Sequence, residues 1–150
     1  MPMKIGIASD HGGKVLKSLV DEHLREKKQV VRDFGVDIDG GSVDYPDYAE
    51  KLCRALKNGE IDRGILICGT GIGMSMAANR FPGVRATLVW NEFTVKASRQ
   101  HNNSNVLCLG ERVLNHTRAL DLVDIWLKEE FEPRHQTRLD KIECLSSDAL

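Results

Sequence analysis

Short apolar runs alternate along this chain with longer stretches in which hydrophobic residues recur every three or four positions. Residues 5–8 form the first run, which ends at Ser9-Asp10-His11-Gly12-Gly13. Val15, Leu16, Leu19, Val20 and Leu24 then repeat at helical spacing, with Lys17, Glu22 and Lys27 on the opposite, polar side. Val30 and Val31 open a second strand that closes near Phe34-Gly35, and residues 37–42 are turn-rich. A helix starting about Asp44-Tyr45-Pro46 carries Ala49, Leu52, Cys53 and Leu56 and stops at Asn58-Gly59. Residues 64–67 are apolar throughout, the pattern of a strand covered on both faces. They lead into Cys68-Gly69-Thr70-Gly71-Ile72-Gly73 and a helix over residues 74–80, which Phe81-Pro82-Gly83 breaks. A strand over 84–89, a helix over 92–100, the polar turn His101-Asn102-Asn103, a fifth strand over 105–109 and a long helix over 117–130 follow. The tail, residues 131–150, carries a basic group at Arg134, His135 and Arg138.

Alternation of this kind predicts an α/β fold: a five-stranded parallel sheet with helices on both faces, followed by a C-terminal helical tail. No repeat, linker or low-complexity tract interrupts it, and 150 residues suit a single domain over residues 1–150. In such sheets ligands bind outside the carboxyl ends of the strands. Asp10, His11, the loop from Cys68 to Gly73 and the turn after Gly110 are therefore expected at one edge.

Composition narrows the possibilities. Hydrophobic residues at 41% and charged residues at 29% belong to an ordinary globular protein. Twenty-one basic against twenty-two acidic residues leave a net charge of −1, giving no global field for nucleic acid or an anionic membrane. An aromatic content of 5% argues against a base-stacking surface. No stretch has the roughly 20 apolar residues of a membrane span, and the N-terminal apolar stretch is too short for a signal peptide. Cys53, Cys68, Cys108 and Cys144 form no CxxC pair and lack histidines at zinc spacing, which points to reduced thiols and a cytoplasmic setting.

The chemistry concentrates in the loop after the third strand. Gly69, Gly71 and Gly73 around Thr70 and Ile72 bring backbone close to a ligand, and the following helix adds positive partial charge for a phosphate or an oxyanion. The plain alternative is a tight turn that needs glycine for its geometry. The pattern differs from the dinucleotide GxGxxG, follows the third strand rather than the first, and meets no acidic residue at the next strand end, so an NAD-binding module is a weak reading. Cys68, at a strand end near a helix start, suits a thiolate base or nucleophile, whereas Cys53 and Cys108 read as core. Asp10 and His11 suit a sugar hydroxyl or phosphate, although Asp10 alone could cap the next helix. His101 lies in a polar loop, unlike a core histidine, while His23 and His116 sit among surface residues. Arg112, Arg134, His135 and Arg138 read either as a solvated basic surface or as a phosphate clamp; Arg134 and Arg138 share a face if helical.

These segments resemble a known family. Ala8-Ser-Asp-His-Gly-Gly13, Asp44-Tyr-Pro46, Cys68-Gly-Thr-Gly-Ile-Gly-Met-Ser-Met-Ala-Ala-Asn79, His101-Asn-Asn-Ser-Asn-Val-Leu107, Gly110-Glu-Arg112 and Arg134-His-Gln-Thr-Arg138 are similar to type B ribose-5-phosphate isomerase, whose family includes galactose-6-phosphate and allose-6-phosphate isomerases. The resemblance implies a Rossmann-like three-layer α/β/α sandwich, forming a homodimer or homotetramer with active sites shared between subunits. It implies interconversion of ribose 5-phosphate and ribulose 5-phosphate with neither metal nor organic cofactor. By the same resemblance Cys68 moves a proton between C2 and C1, Asp10, His11 and Tyr45 meet the sugar, and His101 assists ring opening. Gly69, Thr70, Gly71, Ile72 and Gly73 supply anion-binding backbone, and Asn102, Arg112, Arg134 and Arg138 hold substrate and phosphate. Thr70 is also a candidate for proton relay. The family's tail usually reads Gly-Gly-Arg-His, whereas this chain has Glu132-Pro133-Arg134-His135, which alters the expected approach of Arg134. Two competing functions remain open from the sequence: an isomerase of a six-carbon sugar phosphate, and a non-catalytic sugar-phosphate sensor that would leave Cys68 and His101 without a role.

Overall fold

The expected elements appear in the expected order. The computed structural model describes residues 2–147. Strands β1 (Lys4–Ser9), β2 (Val30–Asp33), β3 (Arg63–Cys68), β4 (Ala86–Leu88) and β5 (Val106–Gly110) alternate with helices α1 (Lys14–Glu26), α2 (Tyr45–Lys57), α3 (Ile72–Ala78), α4 (Glu92–Gln100) and α5 (His116–Lys128). A 3-10 turn, Pro133–His135, then leads into α6 (Gln136–Ser147). All strand pairs are parallel, in the order β2-β1-β3-β5-β4. From β1 the chain steps outward to β2, recrosses to β3 and then fills the other half, so the switch point lies between β1 and β3.

Side chains of period two divide the interior into two layers. Ile5, Ile7, Ile65, Ile67, Leu107 and Leu109 face α1, α4 and α5, where Leu16, Val20, Leu24, Val95, Leu122, Val123 and Trp126 complete one core. Ala8, Leu66, Cys68 and Cys108 point the other way, onto Leu52 and Cys53 of α2 and Met74 and Ala78 of α3. Caps fix two helix starts. Asn91 and Thr94 form a reciprocal box at α4, and the Asn115 side chain accepts the Arg118 N–H at α5.

Several boundaries and faces differ from the sequence pattern. The third helix begins at Ile72 rather than 74 and ends at Ala78, because Gly71 supplies a left-handed cap (φ 78°) two residues earlier. Strand β4 is an edge strand that pairs only over three residues instead of 84–89. Lys17, expected on the polar side of α1, is 5% exposed and reaches Asp33 at the end of β2 (2.6 Å), whereas Val15 is exposed. His23 is half-buried rather than solvated, since its Nε2 meets Asp124 at 2.7 Å and ties α1 to α5. The last three residues of the tail lie outside the described residues.

Candidate active site

Three strand ends and one helix start meet at the carboxyl edge of the sheet. The Asp10 N–H donates to Ile67 O (3.3 Å), and an Asp10 carboxylate oxygen accepts the Gly12 N–H (2.8 Å). That carboxylate does not cap α1, which takes its side-chain acceptor from far along the chain: the Glu111 carboxylate receives the Leu16 N–H. Glu111, between Gly110 and Arg112, thus ties the turn after β5 to the start of α1. Sequence reasoning does not single it out, and an acid beside the last strand end is the signal that could have found it. His11 accepts the Val43 N–H on Nδ1 (3.1 Å), so a neutral ring carries its proton on Nε2.

The glycine loop sits between these groups. Glu111 N–H donates to Cys68 O (3.0 Å) and Arg112 N–H to Gly69 O (2.9 Å), which locks the β5 turn onto the β3 loop. A side chain at Gly69 would place its Cβ 3.1 Å from an Arg112 guanidinium nitrogen, so the Arg112 side chain, itself exposed, lies across the bare glycine. At Gly73 the same atom would fall 2.6 Å from the Tyr45 ring, which therefore rests on the first turn of α3. Within the loop the Gly71 N–H donates to Cys68 Sγ (3.1 Å) and the Ile72 N–H to Thr70 Oγ1 (3.2 Å). Two donors of the expected anion cradle are thus engaged inside the loop, one of them on the sulfur. Cys68 is only 5% exposed in the single chain. An apolar cavity of about 200 Å³ opens on the same loop, lined by Thr70, Ile72, Trp90 and Val113 among others, and Cys68 is not among its lining residues. Cys53 and Cys108 are buried, and burial pushes their thiols up, that of Cys53 to about 12, as inert core requires.

The remaining predicted residues gather elsewhere. α4 runs back along the sheet, so His101 and Asn102 lie before the first residue of β5, at the amino edge. The five residues of β5 alone separate the two edges by about 13 Å. Beneath this turn a buried Arg99 donates to Ser104 O, Asn103 Oδ1 and Glu129 O. Its burial, together with Arg63 and Arg85, lowers its pKa to about 10. The Glu132 N–H donates to Gln100 O (2.9 Å) and brings the tail onto the end of α4. His101 and His135 rings then lie 4.5 Å apart, centroid to centroid. Glu132 accepts from Arg134 Nε (3.0 Å) and Nη2 (2.8 Å), and Arg138 donates to His135 Nδ1 (3.3 Å). Ligand atoms of His101, Glu132 and His135 all lie within 4.8 Å of one another, close enough for a metal ion. Two of the three are already held by guanidinium groups, whose positive charge opposes a cation there. Glu132 is a second residue that sequence reasoning does not single out.

A family model described as Ribose/Galactose Isomerase matches residues 5–142. The chain belongs to this family. Ribose-5-phosphate isomerase B of Escherichia coli is 43% identical over 143 residues, covering 95% of each chain. A solved ribose-5-phosphate isomerase B from Clostridium thermocellum is 51% identical, with a TM-score of 0.94 over 97% of this chain and 98% of the other. The enzyme of that name from Mycoplasma genitalium, solved with bound ribulose-5-phosphate, is 45% identical, with a TM-score of 0.92 over 99% of each chain. The Ribose/Galactose Isomerase assignment accords with the α/β architecture and makes this chain an isomerase. No helix among the described residues is long and apolar enough to cross a membrane.

Proposed function

We propose that the chain interconverts ribose 5-phosphate and ribulose 5-phosphate through an enediolate, with Cys68 as the base. The observation that carries this reading is the seating of Cys68 Sγ. It lies at the switch point under the Gly71 N–H, with Asp10 on the neighbouring strand end, Arg112 across Gly69 and Tyr45 across Gly73. The Cys68 thiolate removes the C2 proton of the open-chain aldose. The C–H electron pair forms the C1–C2 double bond while the carbonyl pair moves onto O1. Return of the proton from sulfur to C1, with transfer of the hydroxyl proton from O2 to O1, leaves the ketose. The Gly71 N–H is placed to hold the charged sulfur, and the Thr70 hydroxyl, which accepts from Ile72, retains its own proton for the transfer between oxygens. Arg112, Asn102, Arg134 and Arg138 take the phosphate and hydroxyls, and His101 opens the ring. A relative solved with ribulose-5-phosphate favours the five-carbon substrate over the six-carbon alternative.

In this reading two copies complete each site, since His101 and the tail arginines lie at the edge opposite Cys68 within one chain. Ile72, Trp90 and Val113 line the apolar cavity beside the loop, and the neighbouring Phe93 is 77% exposed. A two-fold axis across α4 lays the His101 end of one helix over the Trp90–Phe93 end of its partner, covering that patch.

The test is Cys68→Ala. The expected result is a loss of at least about 10²–10⁴-fold in kcat, with ribose 5-phosphate still bound and no deuterium taken from solvent at C1 or C2. Activity near that of the unaltered chain removes Cys68 from the mechanism. Rates on five- and six-carbon aldose phosphates, compared side by side, decide the substrate.

A further inference from the structure

The Glu132 carboxylate lies on Arg134, one of the groups assigned above to the substrate's anion. Two nitrogens of Arg134 donate to it at 2.8 and 3.0 Å, His135 Nε2 stands 3.6 Å away, and His101 completes the group within 4.8 Å. His135 is buried, and its Nε2 has no hydrogen-bond partner among the described residues. Arg138 occupies the other ring nitrogen, which places the proton of a neutral ring on Nε2, facing the carboxylate. The hydrogen bond to Arg134, with a smaller contribution from His101, lowers the pKa of the Glu132 carboxyl from its ordinary value. The Glu132 backbone is held by the N–H bond to Gln100 O.

We infer that Glu132 is a built-in counter-ion of the phosphate subsite, a specificity residue that the substrate's phosphate must displace from Arg134. The inference rests on the reading of the tail arginines as phosphate ligands. A dianion with three acceptor oxygens engages Arg134, Arg138 and His135 together and outcompetes one carboxylate, whereas a weak monoanion does not. Glu132 therefore lowers the affinity for every anion and favours those carrying a phosphate dianion.

The probe is inorganic phosphate, measured as a competitive inhibitor and by calorimetry on the full-length protein. Glu132→Gln should tighten phosphate and lower KM for ribose 5-phosphate by roughly two- to five-fold, the scale of an exposed ion pair, with kcat little changed. Glu130→Gln, a charge removal at an exposed neighbour, should change neither value. Unchanged or weaker phosphate binding in Glu132→Gln overturns the inference, because the carboxylate then only positions Arg134. An equal gain from Glu130→Gln overturns it too, since the effect is then net charge alone. Arg134→Ala and Arg138→Ala separate the two levels. If they bind phosphate as the unaltered chain does, the tail is not the subsite and both readings fall. If they weaken it while Glu132→Gln gives no gain, only the role of Glu132 falls.

Discussion

Two glycines in the loop after β3 do different work, and each makes a separate prediction. Gly71 has a φ of 78°, and a Cβ there would meet Leu88 Cδ1 at 2.6 Å and the Leu109 carbonyl carbon at 3.0 Å. Alanine at this position is strained by the backbone as well as crowded, so Gly71→Ala should cost about 1–3 kcal/mol of stability. Denaturant unfolding measures it. Gly73 has no such conformation, and its missing Cβ faces the Tyr45 ring at 2.6 Å. The ring can swing aside, since Tyr45 is 37% exposed. Gly73→Ala should therefore unfold close to the unaltered chain yet raise KM for the sugar phosphate, because the displaced ring is the aromatic group proposed to face the sugar. A normal KM with Tyr45 displaced would take that ring out of the site.

At the scale of elements, the connector from α5 to α6 is where sequence is least informative. The strands and the helices facing them are legible because their apolar residues follow periods of 2 and 3.6. The glycine loop is legible because three glycines within five residues, between a strand and a helix, mark a close backbone approach. Lys17 is misplaced for a physical reason: helical period alone puts it among the polar positions, while its long stem lies buried and its ammonium reaches Asp33 on a strand formed sixteen residues later. Glu111 and Glu132 escape a linear reading because each acts on a backbone or side chain brought near only by the fold. The connector's docking should also respond to pH. Burial, with Arg134, His101 and Arg138 nearby, lowers the His135 pKa from 6.5, while Glu132 acts weakly in the opposite sense. The unfolded chain then binds more protons than the folded one as pH falls past 6.5, so the stability His135 contributes is present above that pH and is lost below it. Thermal unfolding between pH 7.5 and 5, taken as about the range of histidine titration, should show a slope that His135→Gln reduces; an unchanged slope assigns the acid sensitivity to other groups.

For the whole molecule the decisive fact is that one chain carries its proposed chemistry at two opposite edges of one sheet. Cys68, Asp10 and Arg112 lie at the carboxyl ends of the strands, and His101, Arg134 and Arg138 lie beyond the amino end of β5. A parallel strand cannot bend its two ends together, so no rearrangement short of unfolding joins these groups within a chain. A closed two-fold assembly joins them twice, each copy lending its amino-edge group to the other's carboxyl edge. Mixing therefore distinguishes a shared site from a self-contained one. Cys68→Ala and His101→Ala chains, each inactive alone, should regain activity when dissociated and reassociated together. Random pairing makes half of the dimers mixed, and each mixed dimer holds one site with both residues intact and one with neither. The recovered activity should approach about a quarter of that of the unaltered protein. Trp90→Glu or Phe93→Asp, placed on the exposed apolar patch, should abolish both the recovery and the assembly, as seen by sedimentation. If the two inactive chains never complement each other while still forming mixed dimers, each site belongs to a single chain. The loss of activity in His101→Ala then reflects a structural defect at the end of α4, and the shared-site reading falls.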